Sequence, residues 1–176
     1  MGGDGRYKHT LATPGRKIVM TRVFDAPREL VFDAHSSCEH VSHWWGPRNY
    51  EVVQCEIDFR PGGAWRIAHR GPDRETPVFF GEYREIVRPE RFVWTFGFEG
   101  MPGEPGPETY VFEEHDGKTT LTSTAEFDTI EQRDAVLETG MEEGAAETWD
   151  RLDEYLDELQ GRGPSKRKEK GDGRGR

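Results

Sequence analysis

At 176 residues with a formal net charge of −10, the chain has the length of one ordinary domain with one core. No apolar run approaches the roughly 20 residues of a membrane span, and the opening Met1-Gly2-Gly3-Asp4-Gly5-Arg6 has neither the apolar segment of a secretory signal nor, at Arg6, the Ser or Thr of a myristoylation motif. Residues 161–176 carry seven Lys/Arg against two Asp/Glu, which leaves −15 on residues 1–160; such a body repels phosphate backbones, and the expectation is a soluble, cytoplasmic protein with neither nucleic acid nor membrane as partner.

Residues 1–15, Gly-rich and without apolar periodicity, read as a mobile arm. Residues 16–24 mix β-branched and apolar side chains as a strand does. Asp25-Ala26-Pro27 stops that strand, and Pro27 suits the first turn of a helix through Val31, Phe32 and Ala34. A second short helix is predicted over 38–44, ended by Gly46-Pro47. From Tyr50 the period becomes two, so that Val53, Cys55, Ile57 and Phe59 face a core. Cys38 and Cys55 read as reduced thiols, because a domain of this size needs no staple and Cys55 points inward along its strand.

Pro61-Gly62-Gly63 turns the chain into a strand with Trp65, Ile67 and His69 on one face. Strands follow at 78–87, 92–98, 109–114 and 119–127, separated by Arg88-Pro89-Glu90, the Gly/Pro-rich stretch 100–107, and the tight-hairpin pair Asp116-Gly117. The spacing is that of an antiparallel meander, since parallel crossovers need more chain. One long helix closes the domain. It is opened by the capping-box pattern Thr129-Ile130-Glu131-Gln132 and striped by Leu137, Met141, Ala145, Trp149, Leu152, Leu156 and Leu159. Leu137, Met141, Trp149 and Leu152 are expected to be buried against the sheet, with Glu138, Glu142 and Asp153 exposed. Gly140 and Gly144, costly inside a helix, imply a close backbone approach or a kink. Residues 161–176 read as a disordered basic tail without assigned function.

Fourteen of the chain's twenty aromatic residues lie between Trp44 and Phe112, a density suited to lining a pocket or packing a core. Phe92, Trp94, Phe96 and Phe98 would form a stripe on one strand face, compatible with either role. Tyr83, Tyr110 and His69 could add the few polar contacts that orient a ligand. No catalytic residue is assigned. Ser36 and Ser123 sit in no nucleophile elbow, Gly62-Gly63 lacks the Lys of a phosphate loop, and Glu82 and Glu85 differ in strand parity. His35, Cys38, His40 and His43 are zinc-type ligands within nine residues, but no second cluster completes a tetrahedron, so neither metal nor cofactor is expected.

The element order, together with Ala26-Pro27, Trp44-Trp45-Gly46-Pro47, Arg60-Pro61-Gly62-Gly63, Gly81-Glu82-Tyr83-Arg84-Glu85-Ile86, Pro89-Glu90-Arg91 and Gly140-Met141-Glu142-Glu143-Gly144, resembles the SRPBCC (START-like) superfamily over about residues 16–160. Within it the chain is most similar to homologues of the heat-shock protein 90 ATPase activator C-terminal domain. The resemblance implies an α+β helix-grip fold, a curved antiparallel sheet of about seven strands around a long C-terminal helix, with two short helices after the first strand. It also implies a cavity between sheet and helix that binds a small apolar or amphipathic ligand, in a stress-related role. The residues expected to line it are Trp65, His69, Tyr83, Trp94, Phe96, Tyr110 and Met141. The same cavity could serve a cyclase, dehydratase or hydrolase, and a third alternative is a co-chaperone-like interaction domain. Co-chaperone members carry an extra N-terminal domain where this sequence has residues 1–15. A homodimer is left open.

Overall fold

The structure, a computed structural model, describes residues 8–100 and 103–162. The start of the predicted arm (1–7) and the tail from 163 onward lie outside the described residues. Strand β1 (Thr10–Ala12) pairs with β2 (Lys17–Phe24), after which α1 (Arg28–Asp33) and α2 (Cys38–Val41) carry the chain to the far edge of the sheet. There β3 (Glu51–Ile57) begins a meander through β4 (Ala64–Arg70), β5 (Val78–Val87), β6 (Arg91–Phe98) and β7 (Gly106–His115) to β8 (Lys118–Glu126), which closes against β2. The order is β1-β2-β8-β7-β6-β5-β4-β3, antiparallel throughout. Two further helices follow, α3 (Ile130–Leu137) and α4 (Met141–Leu159). This is the α+β helix-grip fold.

Local chemistry accounts for much of it. Along β2, Ile18, Met20, Arg22 and Phe24 are buried while their neighbours are not, the period of two that one covered face demands. Asp116 and Gly117, both at positive φ (54° and 79°), join β7 to β8 in the tight hairpin that their types favour. From α4, Trp149, Leu152 and Leu156 enter the core formed by the sheet and α1, where Trp149 meets Phe24 edge-on at 5.9 Å.

Several expectations are corrected. The arm is not wholly outside the sheet: Thr10–Ala12 form an eighth strand, and His9 is buried with its Nε2 2.7 Å from Glu142. The second short helix ends at Val41 rather than 44. In β3 a register shift between Val52 and Gln54 reverses the parity before it, so Val52 packs on the core and Val53 is 40% exposed, whereas Cys55 and Ile57 keep their inward places. The cysteines are not free thiols. Cys38 on α2 is disulfide-bonded to Cys55 on β3, because the crossover lays α2 beside the returning edge strand.

The long helix is in fact two. The capping box forms as its residues predict, Thr129 accepting from the Gln132 amide and Gln132 from the Thr129 amide, but it opens only the eight-residue α3. Gly140 then takes φ +85°, a left-handed conformation that cannot continue a right-handed helix and that glycine adopts without a steric penalty. A Cβ on Gly144 would meet Pro47 at an ordinary 3.9 Å, so of the two glycines only Gly140 is conformationally required. Trp149 and Leu152 are buried as expected, but Leu137 and Met141 are half-buried and Leu159 is 42% exposed. Glu138 is exposed. Glu142 and Asp153 are half-buried instead, because they pair with His9 and with Arg22, whose guanidinium also bonds Asp150 at 2.7 Å.

Candidate functional site

The inner faces of β4 to β7 bring the middle aromatics together. Trp65 of β4 stacks on Trp94 of β6 at 4.0 Å although β5 runs between them. Gly81 of β5 makes this close approach feasible: a Cβ there would lie 1.8 Å from the Thr95 carbonyl and 2.7 Å from the Trp65 Nε1. The indole instead donates to that carbonyl at 3.1 Å, while the Thr95 hydroxyl accepts the Glu82 amide at 3.0 Å.

The Trp44-Trp45 pair divides its work. Trp44 faces the helices and donates to the Ala34 carbonyl at 3.0 Å, whereas Trp45 meets Trp65, Phe79 and Trp94 with ring centroids at 6.0, 5.7 and 6.3 Å. Arg151 of α4 fixes the loop that carries Trp45, donating to the carbonyls of Trp45, Gly46 and Pro47 at 3.1, 2.8 and 3.1 Å.

Of the seven residues expected to line a ligand site, Trp65, Tyr83, Trp94, Phe96 and Tyr110 form one cluster. Tyr83, Phe96 and Tyr110 lie 5.8, 6.0 and 5.7 Å from Trp94. Trp65, Tyr83 and Trp94 are buried, Phe96 and Tyr110 half-buried. Met141 packs on the same core from the first turn of α4. His69 stands to one side, against Tyr50 and Phe79 at 4.6 and 5.3 Å. A Cβ on Gly46 would approach its Nδ1 to 2.4 Å, so the imidazole seats the Gly46 turn. Burial and the nearby Arg151 push His69 down to about 4, which keeps it neutral near pH 7. Two surface recesses, of about 370 Å³ at Pro14–Lys17 and Glu126–Phe127 and of about 80 Å³ at His43, Arg151, Glu154, Tyr155 and Glu158, are lined by none of the seven.

Three members of the cluster are not among the seven expected lining residues. Glu108 lies opposite Trp94 in the ladder, and the Trp94 indole donates to its Oε1 at 2.7 Å. Burial pushes the Glu108 carboxyl up to about 7 against the opposing pull of hydrogen bonds from Trp94 and Tyr110, and no cation among the described residues counters it. Burial and Glu108 together hold the Tyr110 phenol well above its usual range. The sequence carries a signal for it: Glu108 precedes Tyr110 and Phe112 by two and four residues and so shares their face, and the strand begins at Gly106 rather than at the expected 109.

His35 is the second. It is 5% exposed, ringed by Trp44, Phe92, Tyr110 and Phe112 at 4.9 to 5.9 Å. Burial lowers it to about 4, so the neutral ring donates from Nδ1 to the Val31 carbonyl at 2.8 Å and leaves Nε2 a bare acceptor with no partner among the described residues. Its supposed companions lie elsewhere: Cys38 is in the disulfide, His40 contacts the Tyr155 hydroxyl at 2.6 Å, and His43 stacks on the Tyr155 ring at 4.7 Å. Trp45 is the third. The Tyr83 hydroxyl, raised by burial above its usual range, likewise has no hydrogen-bond partner among the described residues. The interior thus holds an aromatic hub on Trp94 with a carboxyl, a buried phenol and a bare imidazole nitrogen around it, a set able to bind polar groups and, at Glu108, to take or give a proton near neutrality.

No curated protein matches this sequence. Solved structures do. A protein from Rhodobacter sphaeroides superimposes with a TM-score of 0.77 at 24% identity, covering 83% of this chain and 95% of that one. One from Staphylococcus epidermidis, 31% identical, covers 85% of this chain and 94% of its own with a TM-score of 0.66. An AHSA1 protein from Silicibacter pomeroyi gives a TM-score of 0.66 at 20% identity, over 82% of this chain and 97% of that one. The family model described as "Activator of Hsp90 ATPase homolog 1-like protein" matches residues 25–157, from the end of β2 to the last turn of α4, and the chain belongs to that family, an SRPBCC-type fold.

Proposed function

We propose that the chain binds a small amphipathic ligand between the inner face of β4–β7 and α4, the apolar part lying against the Trp94 hub. The observation that carries this reading is that, of the four buried side-chain polar atoms without a hydrogen-bond partner among the described residues, two, the Tyr83 hydroxyl and His35 Nε2, flank Phe92 within that aromatic interior, the others being Arg22 Nε and His69 Nδ1. Leaving such a group unpaired costs about 1–3 kcal/mol. A ligand that supplies the missing donor or acceptor recovers part of that cost in addition to its apolar burial. The half-buried Phe96, Tyr110 and Met141 are the side chains whose movement would admit it.

Native mass spectrometry after gentle purification, with a thermal-shift screen of fatty acids, polyketides and flavonoids, tests the reading. A ligand selective for the native state at 100 times its Kd adds about 2.7 kcal/mol, a rise in Tm of roughly 5–10 °C for a domain of this size. Trp94→Ala should change which ligands stabilise the protein. An unchanged ranking in a folded Trp94→Ala protein, or a screen with no shift and no bound mass, defeats the reading.

A second reading rests on Glu108. A carboxyl poised near pH 7 and hydrogen-bonded to a phenol is the acid–base group that a cyclase or dehydratase would use in the same space. Turnover in the same panel that is lost in Glu108→Gln, while ligand-induced stabilisation persists, would favour it.

A further inference from the structure

Glu108 is an inner-face carboxyl with no counterion among the described residues. The buried guanidinium of the same face, Arg22, is committed to Asp150 and Asp153, and Arg151 is occupied by loop carbonyls. Among the described residues the groups bonded to Glu108 are the Trp94 indole and the Tyr110 phenol, which take two of the roughly four acceptor positions that a carboxylate offers. The other titratable groups nearby carry no charge near pH 7. Tyr110 and Tyr83 stay protonated, and His35, against Tyr110, stays neutral. From α4, Met141 and Ala145 are uncharged, and Glu142 is bound to His9.

Beside this carboxyl lies an aromatic cluster. Trp94 meets it through its in-plane indole N–H and Tyr110 through its phenol, and Trp65, Phe96 and Trp45 pack on Trp94 with centroids at 4.0, 6.0 and 6.3 Å. Aromatic faces attract a cation through their quadrupoles, more strongly once it is desolvated, and a carboxylate among them supplies the balancing charge. The net charge of −10 also draws cations and repels anions at long range.

We propose that Glu108 with Trp45, Trp65, Trp94, Phe96 and Tyr110 is a receptor for an organic cation, an alkylated ammonium group carried on an apolar body. The inference deepens the ligand-binding reading and rests on it: it names the charge and chemical class of the ligand. The charge that the described residues leave unpaired is the one the ligand brings.

The test compares two probes of nearly equal shape, phenyltrimethylammonium and its neutral isostere tert-butylbenzene, by titration calorimetry and thermal shift. At pH 8, with Glu108 ionised, the cation should bind on the order of tenfold more tightly than the isostere. In Glu108→Gln that ratio should fall to about one. Should Glu108→Gln fail to fold, the wild-type protein provides the second measurement, since the ratio should shrink at pH 5.5, where Glu108 takes up a proton. Equal binding of the two probes at pH 8, or a preference that survives in a folded Glu108→Gln protein or at pH 5.5, overturns the cation site while leaving the ligand-binding reading intact. Binding of neither probe overturns the cation site and, together with an empty ligand screen, the binding reading as well.

Discussion

Glu108 makes a prediction that needs no ligand. In the folded chain its carboxyl titrates at about 7, against 4.5 for an unhindered glutamate, because burial disfavours the charged form more than the Trp94 and Tyr110 hydrogen bonds favour it. Between those values the folded state holds a proton that the unfolded chain has released. Glu108 therefore contributes its full stabilisation below about pH 4.5, and that contribution is lost as the pH rises through 7. At about 1.36 kcal/mol per pKa unit, going from pH 5 to pH 8 should remove about 2–3 kcal/mol attributable to this one group. Other groups titrate over the same range, so the quantity to measure is a double difference: urea unfolding of wild type and Glu108→Gln, each at pH 5 and pH 8. Glutamine keeps the shape and accepts the indole N–H but cannot ionise, so relative to wild type it should gain about 2–3 kcal/mol between the two pH values whatever its absolute stability. A difference that stays constant within about 0.5 kcal/mol would show that Glu108 is not held protonated by burial, and the account of the site as a carboxyl without a counterion would fall with it.

Trp149→Ala should destabilise the fold by about 3–5 kcal/mol, as for other buried large aromatics, since it removes the α4 anchor that meets Phe24; urea denaturation measures it, and a loss under about 1 kcal/mol would contradict the packing described. His35 has the opposite pH sense to Glu108. With its folded value lowered to about 4, its contribution is present above 6.5 and is lost as the pH falls towards 4, and NMR titration should find the ring still neutral at pH 5.5. Breaking the Cys38–Cys55 bond by Cys38→Ser releases a loop with a sequence separation of 17 and should cost about 3 kcal/mol, equal to the effect of reduction on the wild-type protein.

What the sequence determined by itself is what neighbouring residues decide together. The meander was legible because alternation and turn chemistry act over a few positions: Asp116-Gly117 can take the two left-handed conformations that its hairpin needs, and Thr129 and Gln132 lie one turn apart, within reach of each other's amides. The apolar stripe that buries Trp149 and Leu152 is likewise a matter of helical pitch. Five of the seven predicted lining residues share the Trp94 cluster for the same reason, since parity along a strand sets their face.

The tertiary structure alone decided which distant residues meet. Nothing local tells Cys38 that Cys55 will lie opposite it, or Arg22 that α4 will present Asp150 and Asp153. One register shift in β3 exchanged Val53 for Val52 at the core, because a single extra residue turns every side chain before it to the other face. Gly140 could have been a close contact or a kink; the directions of α3 and α4 make it a left-handed break. Glu108 became a candidate site residue only when the ladder set it opposite Trp94, with no counterion among the described residues, since a carboxyl's proton affinity depends on its surroundings and not on its neighbours in sequence.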